Sequence, residues 1–365
     1  MTVAAFMDLV LYDPGLGYYT RATQRSGRAG DFFTSVDVGP LFGELLEIQL
    51  AEMAELLEGG NGGPLARFDL VEAGAGNGRL TADILRAARG RDPGLYDLTR
   101  VHLVETSALA RAAQQNTLGD AVERLVCSSP TLPPSFEGVL IANELLDALP
   151  VHQVVMRMDG LREVYVESRR DQDGGLVTSE GPPSTPALAG YLAQLGITLE
   201  PGWQAEIGLR AVEWVRSAAR CLRRGFIILI DYGHEARELY SGSHAGGTLT
   251  SFSRHTMPDR GSGTPGWLDR PGEQDITAHV DFTSVRSAAE DEGCVALGFL
   301  DQTYFLLGLL TDSPRPSSLG ELKHRLALKT LLMPGNLGST HKVLILGKHV
   351  GRPSLRGCSF GQRVT

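Results

Sequence analysis

The stretch that decides the fold reads Val71-Glu72-Ala73-Gly74-Ala75-Gly76-Asn77-Gly78-Arg79-Leu80. An apolar run, residues 68–71, leads into it, and residues 80–85 follow with the apolar spacing of a helix. The pattern predicts a strand, a glycine turn and a helix. Glycines at alternate positions let the backbone turn tightly and approach a ligand closely, because no Cβ intervenes.

The acid in front of the glycines indicates the class of ligand. A dinucleotide-binding loop reads G-x-G-x-x-G and holds a pyrophosphate at the helix N-terminus. Here the last position of that pattern is Arg79, and Glu72 stands at the strand end. A carboxylate repels phosphate but favours an ammonium or a sulfonium. The loop resembles that of class I S-adenosylmethionine-dependent methyltransferases; the alternative is a glycine-rich turn that binds no ligand.

Composition and charge exclude several classes of protein. The chain has 365 residues with 42% hydrophobic and 21% charged residues, which is typical of a soluble globular protein. Its net charge of −9 disfavours general nucleic-acid binding. We find neither a membrane-spanning apolar run nor a targeting peptide. We therefore expect a cytoplasmic protein, or a mitochondrial matrix protein if the source is eukaryotic, with no membrane partner; the oligomeric state stays open.

The cysteines and the late histidines predict no metal. Four cysteines are present without a C-x-x-C pair, so neither a zinc knuckle nor a redox pair is indicated. The spacing of His255, His279, Asp275 and Asp281 fits no recognised metal site. For these four residues, packed or solvated side chains are the favoured interpretation.

Strand-like and helix-like segments alternate from residue 67 onward, which predicts an α/β fold with a doubly wound, mostly parallel sheet. We expect further segments before this alternating pattern and inserted within it. The predicted parts are an N-terminal cap (1–66), a main domain (67–350) with an insertion between strands four and five (151–203), a helix (204–222), a mobile loop (241–271) and a disordered tail (351–365).

Acids at strand ends are the candidates for ligand binding and chemistry. Glu105 ends the second strand, 29 residues after Gly76, where an acid accepts hydrogen bonds from ribose hydroxyls in adenosine-binding enzymes. The alternative is a strand-end acid that faces water. Asp231-Tyr232-Gly233 ends the fifth strand and could face the substrate.

Asn143, Glu144 and Asp147 follow the fourth strand. Strands one and four flank the point where the strand order reverses, and ligands of such sheets bind there. On a helical turn, the i,i+3 spacing would place the carboxylates of Glu144 and Asp147 on one side. Two carboxylates can hold a guanidinium in bidentate fashion. A helix-capping acid next to a solvated acid is the alternative.

A further candidate is the loop Gly30-Asp31-Phe32-Phe33-Thr34, which is aromatic, acidic and glycine-bearing. It could fold over a cofactor. It could equally be a loop that two phenylalanines anchor.

Long strings of sequence resemble the MidA-like methyltransferase family, which includes the mitochondrial complex I assembly factor that methylates a protein arginine. The most specific are N-E-x-x-D-A-L-P-V at 143–151 and D-I-T-A-H-V-D-F at 275–282. Shorter matches begin at Phe6-Met7 and continue to Gln302, so the resemblance covers nearly the whole chain. It implies a Rossmann-like class I methyltransferase with a seven-stranded sheet and S-adenosyl-L-methionine as cofactor.

The resemblance also implies an acceptor and a set of site residues. The acceptor would be an arginine guanidinium on a protein, possibly an NADH dehydrogenase subunit. A small-molecule N- or O-methyltransferase and a non-catalytic assembly chaperone that keeps the cofactor site are the alternatives. The predicted residues are catalytic Asn143, Glu144 and Asp147; cofactor-binding Gly30, Asp31, Thr34, Glu72, Gly74, Gly76, Gly78 and Glu105; and substrate-binding Asp231, Tyr232, His255 and His279.

The chain departs from the family pattern where substrate would bind. The family usually reads S-P-E after G-D-F-x-T, whereas this chain has Val36 and Asp37 after Ser35. The usual arginine after T-L is Thr250, and the aromatic residue two positions on is Phe252 rather than tyrosine. These differences put the acceptor in question more than the cofactor.

Overall fold

A computed structural model describes residues 1–21, 34–59, 65–169, 175–252, 265–311, 322–333 and 340–361. The helices are α1 (Val3–Tyr12), α2 (Leu41–Gly59), α3 (Arg79–Arg91), α4 (Pro93–Leu98), α5 (Ala108–Leu118), α6 (Ala187–Leu195), α7 (Leu209–Cys221), α8 (Ala236–Leu239), α9 (Phe282–Asp291), α10 (Gln302–Leu310) and α11 (Leu322–Leu332). None of the helices in these ranges is both long and apolar enough to cross a bilayer.

The strands are β1 (Phe68–Ala73), β2 (Thr99–Val104), β3 (Leu125–Ser129), β4 (Phe136–Asn143), β5 (His152–Arg157), β6 (Gly160–Ser168), β7 (Leu176–Gly181), β8 (Gln204–Ile207), β9 (Leu222–His234), β10 (Thr250–Phe252), β11 (Asp275–Thr277), β12 (Val280–Asp281), β13 (Val295–Asp301) and β14 (His341–Lys348).

The main sheet has the strand order β13-β14-β9-β4-β1-β2-β3, and the short β12 pairs with the end of β9. The pairs from β9 through β4, β1 and β2 to β3 are parallel, whereas β14 runs antiparallel to both of its neighbours. This order confirms the predicted doubly wound, Rossmann-like fold. The chain order reverses between β1 and β4, so the carboxyl ends of these strands open on the crevice where such sheets bind ligands.

The main sheet is buried on both faces, as the continuous apolar run in β9 predicts. Phe226, Ile228 and Ile230 face one core with α2 and α10. Ile227 and Leu229 face the opposite core with α7 and α9. Alternate side chains of a strand point to opposite faces, so a single apolar run fills both layers.

A second, antiparallel sheet has the order β7-β6-β5-β8. It includes Gln204–Ile207, which pair with His152–Val155. The predicted helix over 204–222 is therefore wrong at its start, because α7 begins only at Leu209 after this strand. The inserted unit accordingly reaches past the predicted bounds 151–203.

The residues expected to form one N-terminal cap, 1–66, divide between the two sheets. Phe6 and Met7 of α1 pack in the core of the small sheet. Phe42 and Leu45 of α2 pack in a core of the main sheet. The described residues of this range therefore contribute to the cores of both sheets.

Parts of the predicted mobile loop 241–271 are packed. Ser251, Trp267 and Leu268 are buried, and β10 pairs with β11. Residues 253–264 of that loop lie outside the described residues. The described ends of the loop therefore differ from the prediction, because they contribute to the core of the small sheet.

The described part of the predicted disordered tail 351–365 is also packed. Leu355 is buried in a core of the main sheet. The amide of Gly357 donates a hydrogen bond to Oε1 of Gln49 at 3.0 Å. Residues 351–361 therefore differ from a disordered tail, because they cover α2 and α10.

Candidate functional site

The glycine turn has the conformation that its sequence predicts. It connects β1 to α3, and Gly74, Gly76 and Gly78 have φ of 72°, 50° and 85°. Only glycine adopts such positive φ values without a steric penalty. The amides of Gly74 and Ala75 donate to the carbonyl of Val104 at 2.9 and 3.1 Å. The turn is thereby fixed to the carboxyl end of β2.

Glu72 is buried directly beneath this turn. Its Oε2 accepts hydrogen bonds from the backbone amide of Thr81, at 3.1 Å, and from the hydroxyl of the same residue. Burial raises the pKa of Glu72 to about 7, although the bonds from Thr81 oppose the shift. The carboxyl group therefore ties the strand to the first turn of α3, and its negative charge is costly in this protein environment.

Glu105 lies against the glycine turn from the neighbouring strand. Its Oε2 accepts from the amide of Gly76 at 2.9 Å, and its Oε1 accepts from the amide of Ser107 at 2.7 Å. Nε2 of Gln114 donates to the carbonyl of Gly76 at 2.8 Å. The structure thus brings Glu105 and Gly76 together, as their positions at strand ends suggested.

Thr34 begins a turn that lies between the glycine turn and β4. Its amide and hydroxyl donate to Oδ2 of Asp37 at 3.0 and 2.9 Å. Oδ1 of Asp37 lies 3.2 Å from Nη1 of Arg79. The departure at Asp37 therefore has a structural reason, since this acid caps the turn and pairs with the arginine of the glycine motif. The predicted cofactor residues Gly30 and Asp31 lie outside the described residues.

Glu144 has an unusual backbone conformation at the end of β4. Its φ is +50°, which is strained for a residue with a side chain and is often found at functional sites. Its Oε1 accepts from the amide of Ser35 at 3.2 Å and from Nδ2 of Asn143 at 3.1 Å. Nε2 of His341 lies 3.4 Å from the same oxygen. The carboxyl group is therefore held in one orientation.

Asn143 has a buried oxygen. Its Nδ2 bonds Glu144, whereas its Oδ1 is buried without a hydrogen-bond partner among the described residues. A buried acceptor of this kind ordinarily finds a donor. Asn143 therefore offers a place for a donor group of a ligand.

Asp147 does not share a helical turn with Glu144, so that part of the prediction is wrong. Residues 144–150 form an irregular turn, because Asp231 holds the backbone of this segment. Oδ2 of Asp231 accepts from the amides of Leu145, Leu146 and Asp147 at 3.1, 2.7 and 3.4 Å.

The carboxyl groups of Asp147 and Asp231 are both buried, and burial favours the protonated form of each. Burial raises the pKa of Asp231 to about 7. Burial and then the charge of Asp231 raise the pKa of Asp147 well above its ordinary value. Burial and the neighbouring carboxyl group therefore favour the protonated form of Asp147. The pair can therefore change its charge when a ligand changes the local field.

Asp275 joins these acids from β11 and was missed as a site residue. It accepts a hydrogen bond from the hydroxyl of Tyr19 at 2.6 Å, and its charge raises the pKa of Asp147. Asp275 is the first residue of the D-I-T-A-H-V-D-F string, and this position could have identified it from the sequence. We call Glu144, Asp147, Asp231 and Asp275 the acidic cluster.

Tyrosines surround the acidic cluster. The ring of Tyr232 lies 3.9 Å from that of His341, and the hydroxyl of Tyr12 donates to the carbonyl of Ala148 at 3.0 Å. Burial and the charges of the cluster raise the pKa of Tyr232 far above its ordinary value. These tyrosines therefore stay neutral.

The departures Thr250 and Phe252 lie on β10, which pairs with β11. Phe252 is opposite Asp275 in this pairing. Phe252 is therefore a neighbour of the acidic cluster, whereas Thr250 is opposite Thr277.

His279, predicted to bind substrate, lies beside two other histidines. Its amide donates to Oγ1 of Thr248 at 3.0 Å, and its ring centroid is 5.3 Å from that of His234 and 6.0 Å from that of His244. Burial, and then the charges of His234 and His244, lower the pKa of His279 to about 4. His255 lies outside the described residues.

Known proteins resemble this chain over most of its length. A family model described as "Putative S-adenosyl-L-methionine-dependent methyltransferase" matches residues 45–300. The Danio rerio protein named protein arginine methyltransferase NDUFAF7, mitochondrial, is 30% identical over 339 residues, which cover 86% of this chain and 74% of that protein. The Homo sapiens protein of the same name is 29% identical over 369 residues, with coverages of 95% and 75%.

Two solved structures from Burkholderia thailandensis share the fold. One is bound to S-adenosyl-homocysteine, is 31% identical, has a TM-score of 0.86, and is matched over 100% of this chain and 91% of that chain. The other is a native structure that is 30% identical, with a TM-score of 0.82 and coverages of 98% and 89%.

Proposed function

Because the chain belongs to this S-adenosyl-L-methionine-dependent methyltransferase family and uses that cofactor, we propose that it methylates an arginine guanidinium on a protein. The observation that carries the proposal is the acidic cluster at the carboxyl ends of β4 and β9, next to the glycine turn. An anionic site suits a cationic acceptor. The names of the Danio rerio and Homo sapiens relatives support the same acceptor.

The residues at the glycine turn fit the cofactor. A Cβ built on Gly76 has no heavy atom within 4 Å, so the backbone there can approach a ligand. Glu105 stands at the end of β2, where an acid binds ribose hydroxyls. The buried Oδ1 of Asn143 can accept from an ammonium group. When bound, the cofactor supplies an electrophilic methyl group.

We assign the orientation of the acceptor to Glu144. Ser35 and Asn143 fix its carboxyl group, so a guanidinium would meet a preorganised acceptor. Each hydrogen bond from a charged group contributes about 1.5–3 kcal/mol. Holding two guanidinium nitrogens concentrates positive charge on them and leaves the third nitrogen more nucleophilic. Correct positioning alone can lower the activation free energy by roughly 7–11 kcal/mol.

The Asp147–Asp231 pair would adjust the proton balance. An arriving guanidinium favours the ionised forms, so we expect the pair to lose a proton when the acceptor binds. The guanidinium nitrogen that gains the methyl group then gives up one proton. We assign the receipt of that proton to the ionised pair, whose two carboxyl groups are buried in the acidic cluster.

The decisive experiment tests turnover and acceptor together. Cofactor labelled in its methyl group is added to a lysate of a strain that lacks the gene, with purified wild-type, Glu144→Gln or Glu180→Gln protein. Glu180 lies on the exposed small-sheet strand β7 and serves as the control. We expect wild type and control to label protein arginine, found by mass spectrometry, and Glu144→Gln to bind cofactor without transfer.

Other outcomes identify the alternatives. Label in small molecules alone would refute the protein acceptor. Cofactor binding without any transfer would favour the assembly chaperone. Unchanged turnover in Glu144→Gln would refute the role of this residue. A cytoplasmic compartment and an NADH dehydrogenase subunit as acceptor stay predictions.

A further inference from the structure

Three histidines from separate segments meet beside the acidic cluster. His234 ends β9, His244 ends the short 3-10 helix Gly242–His244, and His279 lies between β11 and β12. One ring nitrogen from each can be chosen so that all three lie within 4.8 Å of one another. The sequence does not reveal this group, because the residues are up to 45 positions apart and follow no motif.

We propose that His234, His244 and His279 form a binding site for a divalent transition-metal ion such as Zn²⁺. Imidazole nitrogen is a preferred ligand of this ion, and three histidines with one further position are a known arrangement. Ions such as Mg²⁺ and Ca²⁺ prefer oxygen ligands and fit the group less well.

The surroundings of the rings favour metal binding. Nδ1 of His244 lies 3.1 Å from the carbonyl oxygen of Glu238. Nδ1 of His234 lies 3.0 Å from Oε1 of Glu238, but it makes no hydrogen bond within the described residues. Metal-binding histidines usually direct one ring nitrogen to a carboxylate or a carbonyl, which leaves the other nitrogen for the ion. Glu238 therefore orients the ring of His244 and adds negative charge beside the ring of His234.

The third ring has a nitrogen that the protein does not satisfy. Nδ1 of His279 is buried without a hydrogen-bond partner among the described residues. Its backbone is fixed by the bond to Thr248. A metal ion would supply the partner that this nitrogen lacks. The negative charge of Glu238 makes an anion unfavourable in the same space.

The spacing allows a site after a small adjustment. With metal–nitrogen bonds of about 2.0–2.1 Å in tetrahedral geometry, the ligand nitrogens lie roughly 3.3–3.4 Å apart. The present spread of up to 4.8 Å must therefore close by about 1.4–1.5 Å. His244 is half-buried on a short turn, so its ring has room to rotate.

The site would join three segments near the acceptor. His234 follows Asp231 by three positions on β9, and His279 follows Asp275 by four. His244 lies on the segment that continues to β10. A bound ion would therefore fasten this segment to the strands that carry two acids of the acidic cluster.

The test uses the full chain without a histidine tag, freed of metal with a chelator. Co²⁺ serves as a visible probe, because its absorption bands report coordination number and nitrogen ligands. Calorimetry with Zn²⁺ gives the stoichiometry. We expect one ion per chain, cobalt bands typical of a four- or five-coordinate site, and a rise in Tm with Zn²⁺.

Single substitutions locate the ion. His244→Ala should lower the affinity for Co²⁺ by at least about 100-fold, since even indirect partners of a ligand change affinity by about 10–100-fold. His349→Asn is the control, because His349 is exposed with φ of 55°, which asparagine accepts. The control should bind Co²⁺ as wild type does.

Two results would overturn the proposal. One is folded wild type that binds no stoichiometric Co²⁺ or Zn²⁺. The other is an unchanged cobalt spectrum and affinity in His244→Ala. If His244→Ala loses its circular dichroism signal, His234→Gln is measured in its place under the same criteria. S-adenosyl-homocysteine binding, measured in parallel, separates a failed metal site from a failed methyltransferase assignment.

Discussion

Glu72→Gln should stabilise the protein without cofactor, although Glu72 is a predicted cofactor residue. The folded protein raises the pKa of this carboxyl from its ordinary 4.5 to about 7 through burial. A group whose pKa is raised by folding contributes its stability below its unfolded pKa, and this contribution is lost as the pH rises towards the folded pKa. Stability is therefore lost between about pH 4.5 and pH 7.

The magnitude follows from the shift. Each pKa unit corresponds to 1.36 kcal/mol, so the full change is on the order of 3 kcal/mol. Glutamine cannot ionise, and its amide oxygen can still accept from Thr81. We therefore expect the variant to exceed wild type in free energy of unfolding by up to about 3 kcal/mol at pH 8, and by much less at pH 5.

Urea unfolding followed by circular dichroism at both pH values measures this difference. Glu55→Gln, an exposed change on α2, is the control and should follow the wild-type pH profile. Calorimetry should show weaker cofactor binding by Glu72→Gln. A variant that is equally destabilised at both pH values, or that keeps the wild-type pH profile, would refute the reasoning.

Three further changes test the site. Gly76→Val should abolish cofactor binding in calorimetry, because φ of +50° costs a side-chain-bearing residue about 1–2 kcal/mol and the new methyl groups face the ligand; normal affinity would refute the loop assignment. An arginine peptide should bind more tightly as the pH rises from 6 to 8, as the Asp147–Asp231 pair ionises; a flat profile in fluorescence titrations would contradict this. A double-mutant cycle of Arg79→Ala and Asp37→Asn should give a coupling of about 0.5–1 kcal/mol in urea unfolding; zero coupling would mean that the ion pair contributes nothing.

The sequence predicts those features that depend on residues close together along the chain. The strand, glycine turn and helix around Gly76 follow from local spacing, and so does the position of Glu105 at the end of its strand. The order of the main sheet follows from the alternation of elements and from the family resemblance. Short strands are harder to predict. The four residues Gln204–Ile207 are too few to show a periodicity that distinguishes them from the helix that follows.

The chemistry of the acidic cluster depends on contacts that spacing does not report. Asp147 meets Asp231 across 84 positions, and Tyr19 meets Asp275 across 256. The left-handed backbone of Glu144 results from the bonds that hold its turn. The i,i+3 spacing of Glu144 and Asp147 would place both carboxylates on one side of a helical turn, but spacing contains no information on these distant partners.

The antiparallel strand β14 has a consequence for biosynthesis. It pairs along its whole length with β9, yet His341–Lys348 is translated more than a hundred residues later. Until then the apolar β9 has an unpaired edge, which is the kind of edge that promotes association between nascent chains. The main sheet can close only after residue 348 has left the ribosome, so we expect slow, late folding and a need for protection of this edge during synthesis.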